Sequence, residues 1–276
     1  MLLWVFISFA IMIRVSFISP TSLIKEWGDR SDFHLALAHL IDEEENEYEK
    51  AIKKSGLPIY LDNGLFENGK SVPVEDLMEK ATRLGAVYVF APDVLYSREG
   101  TEANIDIAYE ELQKANKRNK ANTKLAAVVQ ADNRDEYLAS YLSMAVNPKV
   151  ELIGLSILSI PKSYESILGA YAVSESRLYC LKELNALPLK KKSHLLGAGS
   201  SYIDVSYAAK NCPWVDSHDS SSAIWNGVQG HKLEDDYRLD KGKTKVAVDF
   251  SFDEELSGEQ RKMIRHNIKT IQKLTE

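Results

Sequence analysis

The sequence predicts a single-domain (β/α)8 TIM barrel with a C-terminal helix, and three observations carry the prediction. Eight short apolar runs recur along 276 residues, and amphipathic helical patterns lie between most of them. Five of the runs close on a polar group or a turn: Leu61-Asp62-Asn63-Gly64, Ala91-Pro92-Asp93, Val128-Val129-Gln130, Leu152-Ile153-Gly154 and Trp214-Val215-Asp216. Strands alternating with helices of ten or more residues imply parallel pairing through right-handed crossovers. Groups delivered to the strand ends of such a barrel converge on one rim.

In chain order, strand-like runs at 15–19 and 33–40 are followed by a helical pattern over 43–55 and a third run at 58–62. Pro73 opens a helix that closes at Gly85, the usual Pro-first, Gly-last asymmetry, and the run 87–91 follows. A helix over 101–118 leads to the run 125–130, and Asn133 is placed to cap a helix over 133–146. After the run 151–157, Ser163 is the expected N-cap of a helix over 163–185; the run 193–197, a helix over 202–211 and the run 213–216 complete the set. The polar stretch Ser220 to Asp240 reads as a rim loop. From Ser257, Ser-Gly-Glu-Gln with Met263, Ile264, Ile268, Ile271 and Leu274 predicts the closing helix.

The hydrophobic share of 45% and charged share of 27% are those of a globular chain, and the net charge of −6 argues against a generally cationic nucleic-acid coat. Cys180 and Cys212 make neither a disulfide framework nor a C-x-x-C pair, which fits a reducing, cytoplasmic setting. Residues 1–13 are apolar but lack a basic n-region and are too short to span a bilayer. They read as an extension from an upstream start, with Met12 as the alternative N-terminus and residues 14–276 as the barrel; a membrane anchor or signal sequence is the competing reading.

Several strand-end residues carry chemistry. Asp62 precedes Asn63-Gly64, which is also ordinary turn composition. Asp93 follows Pro92 and could equally cap the next helix. Gln130 presents an amide donor and acceptor, or is a satisfied structural glutamine. Gly154 permits close approach of a ligand to the backbone, or simply packs. Asp216 ends a buried run and could serve as a nucleophile toward an anomeric carbon. Asp219, three residues later, competes with it unless it caps a helix beginning in the serine run.

Taken in order, Asp62-x-Gly-x-Phe66, Ala91-Pro-Asp93, Val129-Gln130, Ile153-Gly154-Leu155, His194-Leu-Leu-Gly197-Ala-Gly199 and Val215-Asp216 resemble the motif series of the tRNA-guanine transglycosylase superfamily, over about residues 58–220. Within it the chain looks most like the DpdA-like DNA-guanine transglycosylases of phage and bacteria, since it has no Cys-x-Cys-x-x-Cys…His zinc site, no appended RNA-binding domain and no length for either. The resemblance implies a (β/α)8 barrel that exchanges guanine in DNA for a preQ0-like 7-deazaguanine base through a covalent aspartyl-glycosyl intermediate, with no cofactor or metal. It assigns Asp216 as nucleophile, Asp62 to proton transfer, Phe66 to stacking on the base, Asp93 to the guanine N1 and N2 edge, and Gln130 with the backbone at Gly154 and Leu155 to the O6 side. Where the family has Ser-Gly-Gly after its first acid, this chain has Asn63-Gly64-Leu65.

The implied partners are DNA and the free base, in the cytoplasm of the cell or of a phage host, with a homodimer left open. Lys114, Lys117, Arg118 and Lys120, or Lys190 to Lys192, are either phosphate contacts or solvated helix ends. A tRNA-modifying enzyme would use the same chemistry. A non-catalytic nucleic-acid-binding barrel subunit and a glycoside hydrolase are the readings from other classes.

Overall fold

The computed structural model describes residues 12–42, 44–169, 173–198, 201–234 and 247–275. Its eight strands are β1 (Arg14–Phe17), β2 (His34–Leu37), β3 (Ile59–Asp62), β4 (Tyr88–Phe90), β5 (Lys124–Val128), β6 (Leu152–Ser156), β7 (Ser193–Leu196) and β8 (Val215–Ser220). They form one sheet in the order β1-β8-β7-β6-β5-β4-β3-β2, and every ladder in it is parallel. The sheet curls into a nearly closed (β/α)8 barrel. At the seam between β1 and β2 side chains replace the ladder: the Phe17 N–H donates to Ser31 Oγ (2.9 Å), the Leu35 N–H to Ser16 Oγ (2.9 Å), and the Val15 N–H to Asp32 Oδ2 (2.8 Å).

The helices are α1 (Thr21–Trp27), α2 (Glu47–Ser55), α3 (Leu65–Asn68), α4 (Val74–Leu84), α5 (Arg98–Asn119), α6 (Arg134–Val146), α7 (Ser159–Ser163), α8 (Glu165–Leu168), α9 (Val173–Ala186), α10 (Ile203–Asn211), α11 (Ser222–Val228) and α12 (Gly258–Thr275). Asn133 caps α6 by accepting from the Glu136 N–H at 3.0 Å, as expected. Ser163 does not act as an N-cap. It closes α7, where its hydroxyl donates to the Ala131 carbonyl (2.8 Å), and the single helix expected over 163–185 is instead built from separate segments. Part of the expected rim loop is helix α11, which lies so close to α12 that a Cβ on Gly227 would meet the Ile264 backbone nitrogen at 2.7 Å.

Strand alternation sorts the side chains into two cores. Phe33, Leu35, Tyr60, Tyr88, Phe90, Ala126, Val128 and Leu152 fill the barrel, whereas residues such as Leu61, Val89, Leu125, Ile153 and Val215 meet the helices outside. Helix α12 completes the outer layer with Ile264, Ile268, Ile271 and Leu274. Ile13, assigned above to the N-terminal extension, belongs to this core and donates its N–H to the Thr275 carbonyl; residues 1–11 lie outside the described residues. Among the described residues no helix is long and apolar enough to cross a membrane.

Candidate active site

Tyr60 points into the barrel, so the two-residue period brings Asp62, the last residue of β3, to the same inner face at the C-terminal rim. Its Oδ2 accepts the Gly64 N–H at 2.9 Å. The next residue, Asn63, is buried and donates from Nδ2 to the Ala91 carbonyl (2.8 Å) and to Asp93 Oδ1 (2.7 Å). Gln130, just beyond β5, donates to the other Asp93 oxygen at 2.5 Å, and its own Oε1 accepts the Tyr96 N–H at 3.1 Å. Amides therefore fix both oxygens of Asp93, and Ser97 rather than Asp93 caps α5.

On β8 the acid that reaches the rim is Asp219. The β7–β8 ladder slips by one residue: Ser193 pairs with Val215, but His194 pairs with Ser217, leaving Asp216 as the extra residue of a bulge. Beyond the bulge the alternation reverses, so Ser217 and Asp219 face inward while His218 packs outward against Tyr202, with ring centroids 6.4 Å apart. Asp219 Oδ1 accepts the Gly197 N–H (2.9 Å) and lies 3.0 Å from His194 Nε2. Gly197 reaches it with φ +70°, a conformation that favours glycine. Asp219 caps no helix; Ser220 Oγ accepts the Ser222 N–H that opens α11.

Asp216 thus does not face Asp62. Strand β8 runs on to Ser220, so residue 216 sits near its start, at the N-terminal end of the barrel, whereas Asp62 ends its strand at the opposite rim. There Asp216 pairs with Arg14, the first residue of β1, and with Lys192 (2.9 Å), and Tyr60 Oη approaches it at 3.5 Å. Burial pushes its carboxyl up, but the hydrogen bonds from Lys192 and Arg14 outweigh that and hold it below the ordinary carboxylate range. Asp216 belongs to a plug across the barrel floor, the end of this fold associated with stability rather than chemistry.

Gly154 and Leu155 are likewise displaced from the expected site. Strand β6 continues to Ser156, and a Cβ on Gly154 would meet Leu196 Cδ1 at 2.8 Å and Phe90 Cε1 at 3.1 Å, so this glycine makes room for interior packing. Leu155 is fully buried among the outer apolar residues. The segment from this strand that reaches the rim is Ser156 to Leu158. Gly199 of the quoted motif lies outside the described residues.

The rim encloses a cavity of about 770 Å³, within the range of small-molecule sites. Asp62, Asn63, Phe66, Asp93, Gln130 and Asp219 all line it, together with Glu67, which sequence reasoning missed. Phe66 is 64% exposed at its mouth, free to cover a flat ligand. Burial is the first cause that raises Asp62, to about 8; Glu67, Asp93 and Asp219 add to it against the opposing Gly64 hydrogen bond. Burial also raises Glu67 and Asp93, the latter against its bonds from Gln130 and Asn63. A carboxyl raised in this way is suited to holding a proton near neutrality, as general acid–base chemistry requires.

Among the described residues no lysine or arginine lines the cavity, and no group of three or more His, Cys, Asp or Glu is placed to hold a metal ion. Comparison with protein-family models and with curated proteins returns no match. The Asp93 carboxylate, held by Asn63 and Gln130, can accept further N–H donors from a ligand in the cavity.

Proposed function

We propose that this chain is a base-exchange transglycosylase that replaces guanine in DNA with a 7-deazaguanine, and that Asp219, not Asp216, is its nucleophile. The observation that carries this reading is the meeting of Asp62, Asp93 and Asp219 around one cavity of about 770 Å³, with Asp62 raised to about 8. The motif resemblance supplies the substrate class, and the revised nucleophile keeps its chemistry intact. The target nucleotide leaves the stack, because the glycosidic carbon and the base edge cannot both be reached within a duplex. With no cationic side chain in the described lining, the base enters the cavity and the phosphates remain at the rim.

An Asp219 oxygen bonds to C1′ as the C1′–N9 bond breaks. The electron pair passes to N9 of guanine, which takes the Asp62 proton and departs neutral. The incoming 7-deazaguanine returns its N9 proton to Asp62 and bonds to C1′; the ester bond breaks and its electron pair goes back to Asp219. Water must be kept out, since hydrolysis of the ester would leave an abasic site.

The test is incorporation of labelled guanine or preQ0-like base into DNA and, in parallel, into tRNA, followed by nucleoside analysis. Label in DNA supports the reading; label in tRNA alone assigns the same chemistry to RNA, and none in either overturns it. Because guanine release uses protonated Asp62, its rate should be flat below about pH 8 and fall roughly tenfold per unit above it. A release rate that stays level through this range would exclude Asp62 as the acid.

A further inference from the structure

His194 is fully buried and lies outside the cavity lining, yet β8 engages both of its ring nitrogens. Nδ1 is 2.9 Å from Ser217 Oγ and Nε2 is 3.0 Å from Asp219 Oδ1. A carboxylate oxygen only accepts, so the proton in the second contact belongs to Nε2. The ring cannot easily turn away from it: Phe33 and Tyr60 stand edge-on at 5.8 Å and 6.1 Å, and Phe90 lies 5.7 Å off. The β8 bulge creates this arrangement, since it turns Ser217 and Asp219 together onto the face His194 occupies.

We propose that His194 is a positioning residue for Asp219, with Ser217 holding the imidazole so that Nε2–H points at the carboxylate. This rests on Asp219 being the nucleophile. In both half-reactions Nε2–H and the Gly197 N–H hold Asp219 Oδ1, so that the other oxygen is aimed at C1′; when the glycosyl ester is displaced, the C1′–O bond breaks and its electron pair returns to Asp219, and no proton leaves His194. Ser217 is not itself a nucleophile, because it is fully buried below Asp219 and does not reach the cavity.

The experiment compares the wild-type chain with His194→Phe, His194→Gln and Asp219→Asn, trapping the protein–DNA adduct on a guanine-containing oligonucleotide. His194→Phe should slow adduct formation at saturating DNA by about 100-fold while KM for labelled guanine moves less than about threefold. His194→Gln, which keeps an N–H donor, should recover much of that rate. Independently, nitrogen–proton NMR of the histidine-labelled wild-type protein should show the His194 proton on Nε2, shifted in Asp219→Asn. An unprotonated Nε2 overturns the proposal whether or not any variant folds or turns over. So does a wild-type adduct rate in His194→Phe when Asp219→Asn forms no adduct. If Asp219→Asn forms the adduct at the wild-type rate, it is the nucleophile assignment that falls.

Discussion

Asp219→Asn should reduce guanine exchange by about 10⁴-fold or more and leave no denaturation-resistant protein–DNA adduct, because an amide cannot form the glycosyl ester. Asn preserves the size of the side chain and an oxygen for the Gly197 N–H, so the fold should survive. Asp216→Asn is the informative partner. It lies at the other end of the strand, tied to Arg14 and Lys192, and should keep adduct formation while losing about 1 kcal/mol of stability from a partly solvated ion pair. Adduct formation lost in Asp216→Asn but kept in Asp219→Asn would reverse the assignment and detach the chemistry from the cavity.

The largest stability effect is expected at Arg177. Its guanidinium in α9 and Asp204 in α10 are both fully buried and paired, and Nη1 and Nη2 donate to the Leu196 (3.0 Å) and Gly197 (2.9 Å) carbonyls at the end of β7. Arg177→Met leaves Asp204 as an uncompensated buried charge and should cost about 3–5 kcal/mol in urea unfolding. Adding Asp204→Leu removes that charge and should restore a large part of the loss. Because the clamped Gly197 carries the amide that meets Asp219, exchange should weaken even in the folded double variant. A loss below about 1 kcal/mol in the single variant would show that the pair is not worth its burial.

The barrel was legible because its signals are local. Apolar runs, the Pro73 and Gly85 helix limits and the Asn133 cap each act within a few residues, and every one of the eight expected strands is present. Asp62, Asp93 and Gln130 were also readable, since each stands at or just past the end of a run, whereas Phe66 came only from the motif resemblance; all four line the cavity. Gly154 and Asp216 stand short of the rim because β6 ends at Ser156 and β8 at Ser220; in β8 the added polar residues Ser217 and Ser220 are hydrogen-bonded by His194 inside the barrel and by Tyr202 outside it. Glu67 was missed because it belongs to the short helix α3 after Asp62, a position with no strand-end signature.

By itself the sequence determined the fold class, the order of its elements and three of the polar groups at the rim, because periodicity and turn chemistry depend on neighbours along the chain. Which acid faces Asp62 was decided only by tertiary structure. A one-residue bulge against β7 inverts the facing of every later residue in β8, and such a slip is set by pairing with another strand, not by the composition of its own.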